Sequence, residues 1–312
     1  MAYMKKNIVE VMRQFKLFWQ YPVITEQTFY NQALSIKNYL PFPWATIIDR
    51  QYDQKIVFNI IINIMIVNKN LKKFTCCQHI NFRKLIPLFK ALNITVLYTP
   101  HKVINQDEID GIKIKPCPLY AVNFEDPDRN EIFKGKDFTT VERKYLYSFQ
   151  GAWDPAYLTN IRLQIFNIKS LNNIFIKNIG TWHFNEMVYS ANQNKDKQVV
   201  CSDKFKQDKK DYNKLLLDSR YSLCPSGSGP NSIRLWESLA VGAIPIVLAD
   251  TLELPKHALW EKAVLRIKEK DLYKLDEILS KISKEEEILR RENCLKIYNH
   301  FRTNFMNTDV YN

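Results

Sequence analysis

The stretch 221–250, YSLCPSGSGPNSIRLWESLAVGAIPIVLAD, limits the possible folds of this chain more than any other. Tyr221 to Cys224 is apolar enough for a buried strand. The loop Pro225 to Pro230 then holds Gly227 and Gly229, where missing side chains let backbone approach a ligand closely. Asn231 or Ser232 stands where a helix cap belongs, the helix runs to Val241, Gly242 ends it, and Ala243 to Leu248 forms the next strand. A helix amino terminus behind a glycine loop offers free backbone N–H groups and the positive end of a dipole, which together suit a phosphate.

The same rhythm runs through the rest of the chain. Phe74 to Gln78 reads as a strand, Phe82 to Leu92 as a helix, and Ile94 to Tyr98 and Ile112 to Lys115 as further strands. It restarts at Tyr145 to Phe149, followed by a helix from Leu158 to Ile168, strands at Asn173 to Lys177 and Gln198 to Cys201, and a helix at Tyr212 to Leu217. The polar stretch Glu125 to Glu142 separates the two halves, so the expectation is an α/β protein of two Rossmann-like domains facing a central cleft, over 1–143 and 144–312. The final helical segment, Lys284 to Phe305, has the apolar residues to close the structure by crossing back to the first domain. No fixed period repeats, which excludes solenoids and propellers.

The amino terminus carries Ile8, Met12, Phe15 and Trp19 at helical spacing and lacks the continuous apolar core and cleavage site of a signal peptide. Ile56 to Val67 is the most apolar run, but it contains Asn59 and Asn63 and is shorter than the roughly 20 residues of a membrane span. It reads as a buried helix, with no transmembrane anchor in the chain and a soluble protein expected. Six cysteines without a CxxC pair suggest neither a zinc site nor a disulfide framework, and fit reduced thiols. The net charge of +12 favours an anionic partner. Its densest patch, Lys204 to Lys214, is interrupted by Asp208 and Asp211 and reads first as a solvated face.

Within the helix after the glycine loop, Ile233, Trp236, Leu239 and Ala240 share the face that packs on the sheet, while Arg234 and Glu237 lie three apart on a neighbouring one. Arg234 can give paired hydrogen bonds to diphosphate oxygens, and Glu237 can accept from two ribose hydroxyls. The bland alternative is an exposed ion pair worth little. LCPSG from Leu223, SIRLWESL from Ser232 and GAIPIVLAD from Gly242 resemble the donor-binding signature of the exostosin-like glycosyltransferases, glycosyltransferase family forty-seven, with a weaker echo in FQGA from Phe149 followed by Arg162. The resemblance implies a GT-B architecture and an inverting glycosyltransferase that moves a sugar from a nucleotide diphosphate sugar, most often of uridine, to a glycan or glycoconjugate, with no metal or other cofactor required. On that reading 1–143 is the acceptor side and 144–312 binds the donor through Gly151, Arg162, Ser226, Gly227, Ser228, Gly229, Asn231, Ser232, Arg234 and Glu237. Arg162 alternatively is a solvated helix residue. Plant and animal members of that family usually carry a membrane anchor, and its lack here points to a cytoplasmic enzyme of a bacterium or a virus-infected host cell.

Inversion requires a base for the acceptor hydroxyl. His79 and His101 follow successive strands at the ends where open α/β sheets place their ligand crevice, and Asp49 is a third candidate, one base being expected among the three. Each has a structural reading beside it: a hydrogen-bonded loop histidine, or an aspartate capping the next helix. Two further classes compete, a non-catalytic glycan-binding relative and a nucleic-acid-binding protein, although no helix-turn-helix, zinc or RNP signature accompanies the charge and no nucleic-acid partner is expected.

Overall fold

In the computed structural model the described residues are 2–180 and 203–304, so the expected strand Gln198 to Cys201 lies outside them. Contacts divide the chain into two units, one holding the residues up to Pro118 together with Glu253–Pro255, the other beginning at Leu119. Both are mixed α/β.

In the first unit β1 (Lys73–Cys76), β2 (Ile94–Thr99), β3 (Glu108–Ile109) and β4 (Ile112–Pro116) form a sheet of order β1-β2-β4-β3. β1, β2 and β4 are parallel, and β3 pairs antiparallel with β4. Helices α1 (Ala2–Gln14), α2 (Thr25–Ala33), α3 (Trp44–Asp49), α4 (Gln54–Asn59) and α5 (Ile86–Ala91) accompany it. The core joins Ile8 and Val11 of α1 to Trp44, Phe82, Phe89 and Leu97. α1 ends before Phe15, since Lys16 takes a positive φ of 52°, yet Met12, Phe15 and Trp19 still pack at the core's edge. The run Ile56 to Val67 is not one buried helix. α4, capped by Asp53 through Lys55 N at 2.7 Å, passes into a π turn at Ile60–Ile64. Val57, Ile60, Ile61 and Met65 fill the core while Ile56, Ile64 and Ile66 are exposed, because so many apolar residues exceed what one helix face can bury.

The second unit contains β5 (Tyr145–Gly151), β6 (Ile174–Asn178), β7 (Ser219–Pro225), β8 (Ile244–Leu248) and β9 (Leu265–Arg266), all parallel, in the order β6-β5-β7-β8-β9. Its helices are α6 (Val122–Glu125), α7 (Ile161–Phe166), α8 (Asp203–Leu217), α9 (Ile233–Ala240), α10 (Trp260–Ala263), α11 (Leu275–Ser280) and α12 (Lys284–Thr303). The chain moves outward in one direction from β5 to β6 and in the other from β7 to β9. In doubly wound sheets a ligand sits beyond the carboxyl ends of the strands at that reversal, here β5 and β7.

Residues 119–143, expected to close the first domain, pack instead with the second. Phe133 joins Leu216, Leu217, Val241 and Ala243 in one apolar cluster bordered by Phe124 and Phe138, aromatics set in an otherwise polar stretch. Arg143 Nη1 donates to the carbonyls of Leu216 (3.1 Å), Leu217 (3.1 Å) and Ser219 (2.9 Å), and its Nη2 to Val241 (2.6 Å) and Phe138 (3.3 Å). The terminal helix α12 lies on α9 and α10 and meets the same segment: Tyr298 Oη donates to Glu125 at 2.7 Å, and Tyr120 Oη to the Phe301 carbonyl at 3.0 Å. These contacts of α12 are all with residues of the second unit. The patch 204–214 is the first part of α8, and its Lys210 and Lys214 are exposed.

Gly242 ends α9 in the left-handed region at φ 64°, and a Cβ there would stand 2.8 Å from Arg291 Cγ, whose guanidinium bonds the Gly242 carbonyl at 3.2 Å. Gly242→Ala should cost about 1–2 kcal/mol from backbone conformation before the displacement of Arg291 is counted. Urea denaturation checks this, and an unchanged midpoint would contradict it.

Candidate functional site

β5 and β7 end side by side, and their following loops carry most of the residues singled out in the sequence. β7 runs into Ser226, whose N–H bonds the Leu248 carbonyl at 2.9 Å and whose hydroxyl meets Glu269 at 3.0 Å and Thr159 at 3.2 Å. Gly227 N bonds the Gly229 carbonyl at 3.0 Å, which curls the loop; Ser228 is exposed at its tip. Ser232 takes the N-cap position of α9 with extended backbone but makes no side-chain capping bond, and Asn231 Oδ1 accepts from Trp236 Nε1 at 3.3 Å. Trp236 itself is fully buried, as its helical spacing implies.

Two guanidinium groups converge on this loop. Arg162 of α7 is held by Nε to the Ser226 carbonyl at 2.8 Å and Nη1 to the Ala152 carbonyl at 3.0 Å, just past Gly151 at the end of β5. It is no solvated helix residue: burial, with the charge of nearby Arg234 adding to it, pushes its guanidinium down to about 10. A Cβ on Gly227 would lie 2.7 Å from Arg162 Nη2, so only glycine lets loop and arginine meet so closely. Arg234 is 8% exposed, donates through Nη2 to the Gln150 carbonyl, and lies over the rings of Phe149 (4.9 Å) and Tyr212 (5.0 Å). Its Nη1 is buried with no acceptor among the described residues. Two cations close together in a partly dry pocket form a place where an anion lowers the energy of both.

Glu237 is 1% exposed, which sets aside the exposed ion pair. Its oxygens, expected to face a ribose, face protein: Oε1 accepts from Asn123 Nδ2 at 2.7 Å and Oε2 from Tyr212 Oη at 2.7 Å. Burial raises its carboxyl above the usual range against the opposing pull of these donors and of Arg129 and Arg234. Asn123 and Tyr212 carry no local signal in the sequence, since they meet Glu237 across 114 and 25 residues.

The three candidate bases gather in the first unit, at the carboxyl ends of β1 and β2. His79 Nε2 lies 2.8 Å from Asp49 Oδ1, while its Nδ1 accepts the Asn81 N–H at 2.9 Å. Asp49 ends α3, and its other oxygen accepts from the Gln20 side-chain amide; Asp53, not Asp49, caps the following helix. His101 is 5% exposed, and burial foremost, then the neighbouring His79, pushes its imidazole down to about 3. Beside them stands a carboxyl that sequence reasoning passed over. Glu26 of α2 is 1% exposed and accepts from Ala45 N and Gln78 N, both at 3.1 Å, fastening α2, α3 and the chain after β1 together. Among the described residues no group of three or more His, Cys, Asp or Glu is placed to hold a metal ion, and Cys76, Cys77, Cys117, Cys224 and Cys294 are buried and free.

Residues 79–282, more than half of the chain, match the Exostosin GT47 domain. An Exostosin-1 homolog of Caenorhabditis elegans is 25% identical over 189 residues, covering 58% of this chain and 46% of the relative. A probable beta-1,4-xylosyltransferase of Arabidopsis thaliana is 42% identical over 77 residues, 24% of this chain and 18% of its own length. The Probable glucuronosyltransferase 47 A of Physcomitrium patens is also 42% identical over 77 residues, 24% of this chain and 17% of its own length. The chain spans less than half the length of each of these relatives. They correct the expected location. Proteins of a nematode, a flowering plant and a moss overturn the assignment to the cytoplasm of a bacterium or virus-infected cell. That assignment had rested on the lack of an anchor, and a chain covering so little of its relatives' length is no ground for it. No described helix is long and apolar enough to cross a membrane.

Burial pushes the Glu26 carboxyl from 4.5 up to about 8, although the Gln78 and Ala45 N–H groups pull the other way. A raised folded-state value means that the stability it contributes is complete below about pH 4.5 and is lost as pH rises through about 8. Unfolding free energy should fall across that window with a slope of at most about 1.4 kcal/mol per pH unit. Glu26→Gln should flatten it in urea titrations at several pH values; an unchanged slope would contradict the assignment.

Proposed function

This chain belongs to the exostosin GT47 family, and from that premise we propose that it is an inverting glycosyltransferase of GT-B type, taking a sugar from a uridine diphosphate sugar. The observation that carries the donor site is Arg234 Nη1, a buried cationic donor without an acceptor among the described residues, on the helix that follows the glycine loop. The diphosphate supplies the missing acceptor, Arg162 adds a second positive charge, and the loop with the start of α9 offers backbone N–H groups. Charge grows on the diphosphate as the sugar departs, so donors already fixed there stabilise the transition state more than the ground state. With two guanidinium groups in this role, no metal is needed. The acceptor is a glycan or glycoconjugate.

For the base the geometry favours Asp49. His79 Nδ1 accepts a backbone N–H, which leaves the Nε2 proton directed at Asp49 and no lone pair on the ring for a substrate. His101 is 5% exposed, which keeps its ring from an acceptor. Asp49 retains free lone pairs on a carboxylate oriented from both sides, by His79 and Gln20, and its side chain is 17% exposed. As the base, Asp49 takes the proton of the acceptor hydroxyl.

UDP at a hundredfold excess over its Kd should raise unfolding free energy by about 2.7 kcal/mol in EDTA. Thermal shifts across a nucleotide panel read this directly; a flat response, or one that needs a divalent cation, counts against the donor site. Asp49→Asn should lower kcat by about 10² to 10⁴ with the donor KM nearly unchanged. Steady-state transfer assays decide it, and a kcat within a few fold of wild type would return the role to another group.

A further inference from the structure

Arg234 is held by three residues. Its guanidinium lies over the rings of Phe149 and of Tyr212 of α8, at 4.9 and 5.0 Å, while the Gln150 carbonyl takes Nη2. The hydroxyl of the same Tyr212 donates to Glu237 Oε2 at 2.7 Å, and Asn123 takes Oε1. Glu237 stands three residues after Arg234 on α9, a spacing at which a carboxylate and a guanidinium readily pair. Arg129 and Arg234 both pull against the effect of burial on the Glu237 carboxyl.

We propose that Tyr212 is a positioning residue that keeps Arg234 available to an anion, its ring stacking on the guanidinium while its hydroxyl holds Glu237 away from it. The idea rests on the donor-site reading above and adds to it the reason why a buried arginine beside a buried glutamate keeps an unpaired donor. A cation over an aromatic face retains its hydrogen-bonding edge, whereas a bidentate carboxylate would consume that edge and cancel the charge. Remove the hydroxyl, and Glu237 Oε2 loses its donor in a nearly dry site, with Arg129 and Arg234 the two guanidinium groups that act on that carboxyl; a turn toward Arg234 sets it against the anion. The diphosphate then competes with an internal carboxylate.

Tyr212→Phe should therefore weaken UDP binding about tenfold or more by calorimetry while leaving uridine, which lacks phosphate, within about twofold, since charge-assisted hydrogen bonds carry differences of that order. Adding Glu237→Gln to Tyr212→Phe removes the competing charge and should restore much of the UDP affinity. A merely structural Tyr212 predicts something else: UDP and uridine weakened together, and no recovery in the double variant. Either result overturns the proposal. Arg234→Ala separates this failure from that of the donor site. If it abolishes the preference for UDP over uridine while Tyr212→Phe leaves that preference intact, the positioning role alone falls; if Arg234→Ala leaves the preference intact, the donor-site reading falls with it.

Discussion

One buried carboxylate ties together three segments of the second unit that the chain brings from far apart. Glu237 on α9 bonds Asn123, from the segment that follows the first unit, and Tyr212 on α8, so three pieces of backbone depend on one pair of oxygens. Burying a charge is costly unless its lone pairs are met, and here they are met by donors that exist only once the fold is complete. The arrangement is thus self-consistent rather than locally determined. Around it the five parallel strands place Gly151 and the loop after Pro225 at the same edge, and the arginines of α7 and α9 bond the Ala152 and Gln150 carbonyls there.

The two units illustrate two ways of readying a polar group in a half-dry site. In the second, positive charge is concentrated, and one donor, Arg234 Nη1, has no acceptor among the described residues. In the first, a carboxylate is steadied by a histidine whose own ring is fixed through a backbone N–H, and the nearby Glu26 links the backbone after β1 to two helices. Asp49, Gln20 and Glu26 all precede the stretch 79–282 that matches the family, whereas the arginines and the glycine loop lie inside it.

What could be read from the sequence was what repeats locally. The β7-loop-α9-β8 unit was visible because apolar runs, glycines and a helical period occur within thirty consecutive positions, and Gly242 sits where only a residue tolerant of positive φ ends a helix. The packing of 119–143 was not visible: Phe124, Phe133 and Phe138 are too sparse to show a period, and their partners Leu216 and Val241 lie far along the chain. The run Ile56 to Val67 misled because hydrophobicity was plain while its division into buried and exposed faces was not. Glu26 escaped notice for a related reason, since a lone carboxylate reads as solvated until its partners Ala45 and Gln78 are known. Asp49, His79 and His101 were found one by one, but only the fold joins Asp49 to His79.

Arg143 gives these contacts a mechanical side. Its guanidinium gathers carbonyls from the last turn of α8, the start of β7 and the residue after α9, two of these places being helix carboxyl ends, where carbonyls lack an intrahelical partner. Neither helix end can fray without releasing the same side chain that closes the other, so opening either carries the cost of opening both. The two helices that bear Tyr212 and Arg234 thereby become one cooperative unit, protected together or exposed together, and the geometry between them is as durable as that shared clasp.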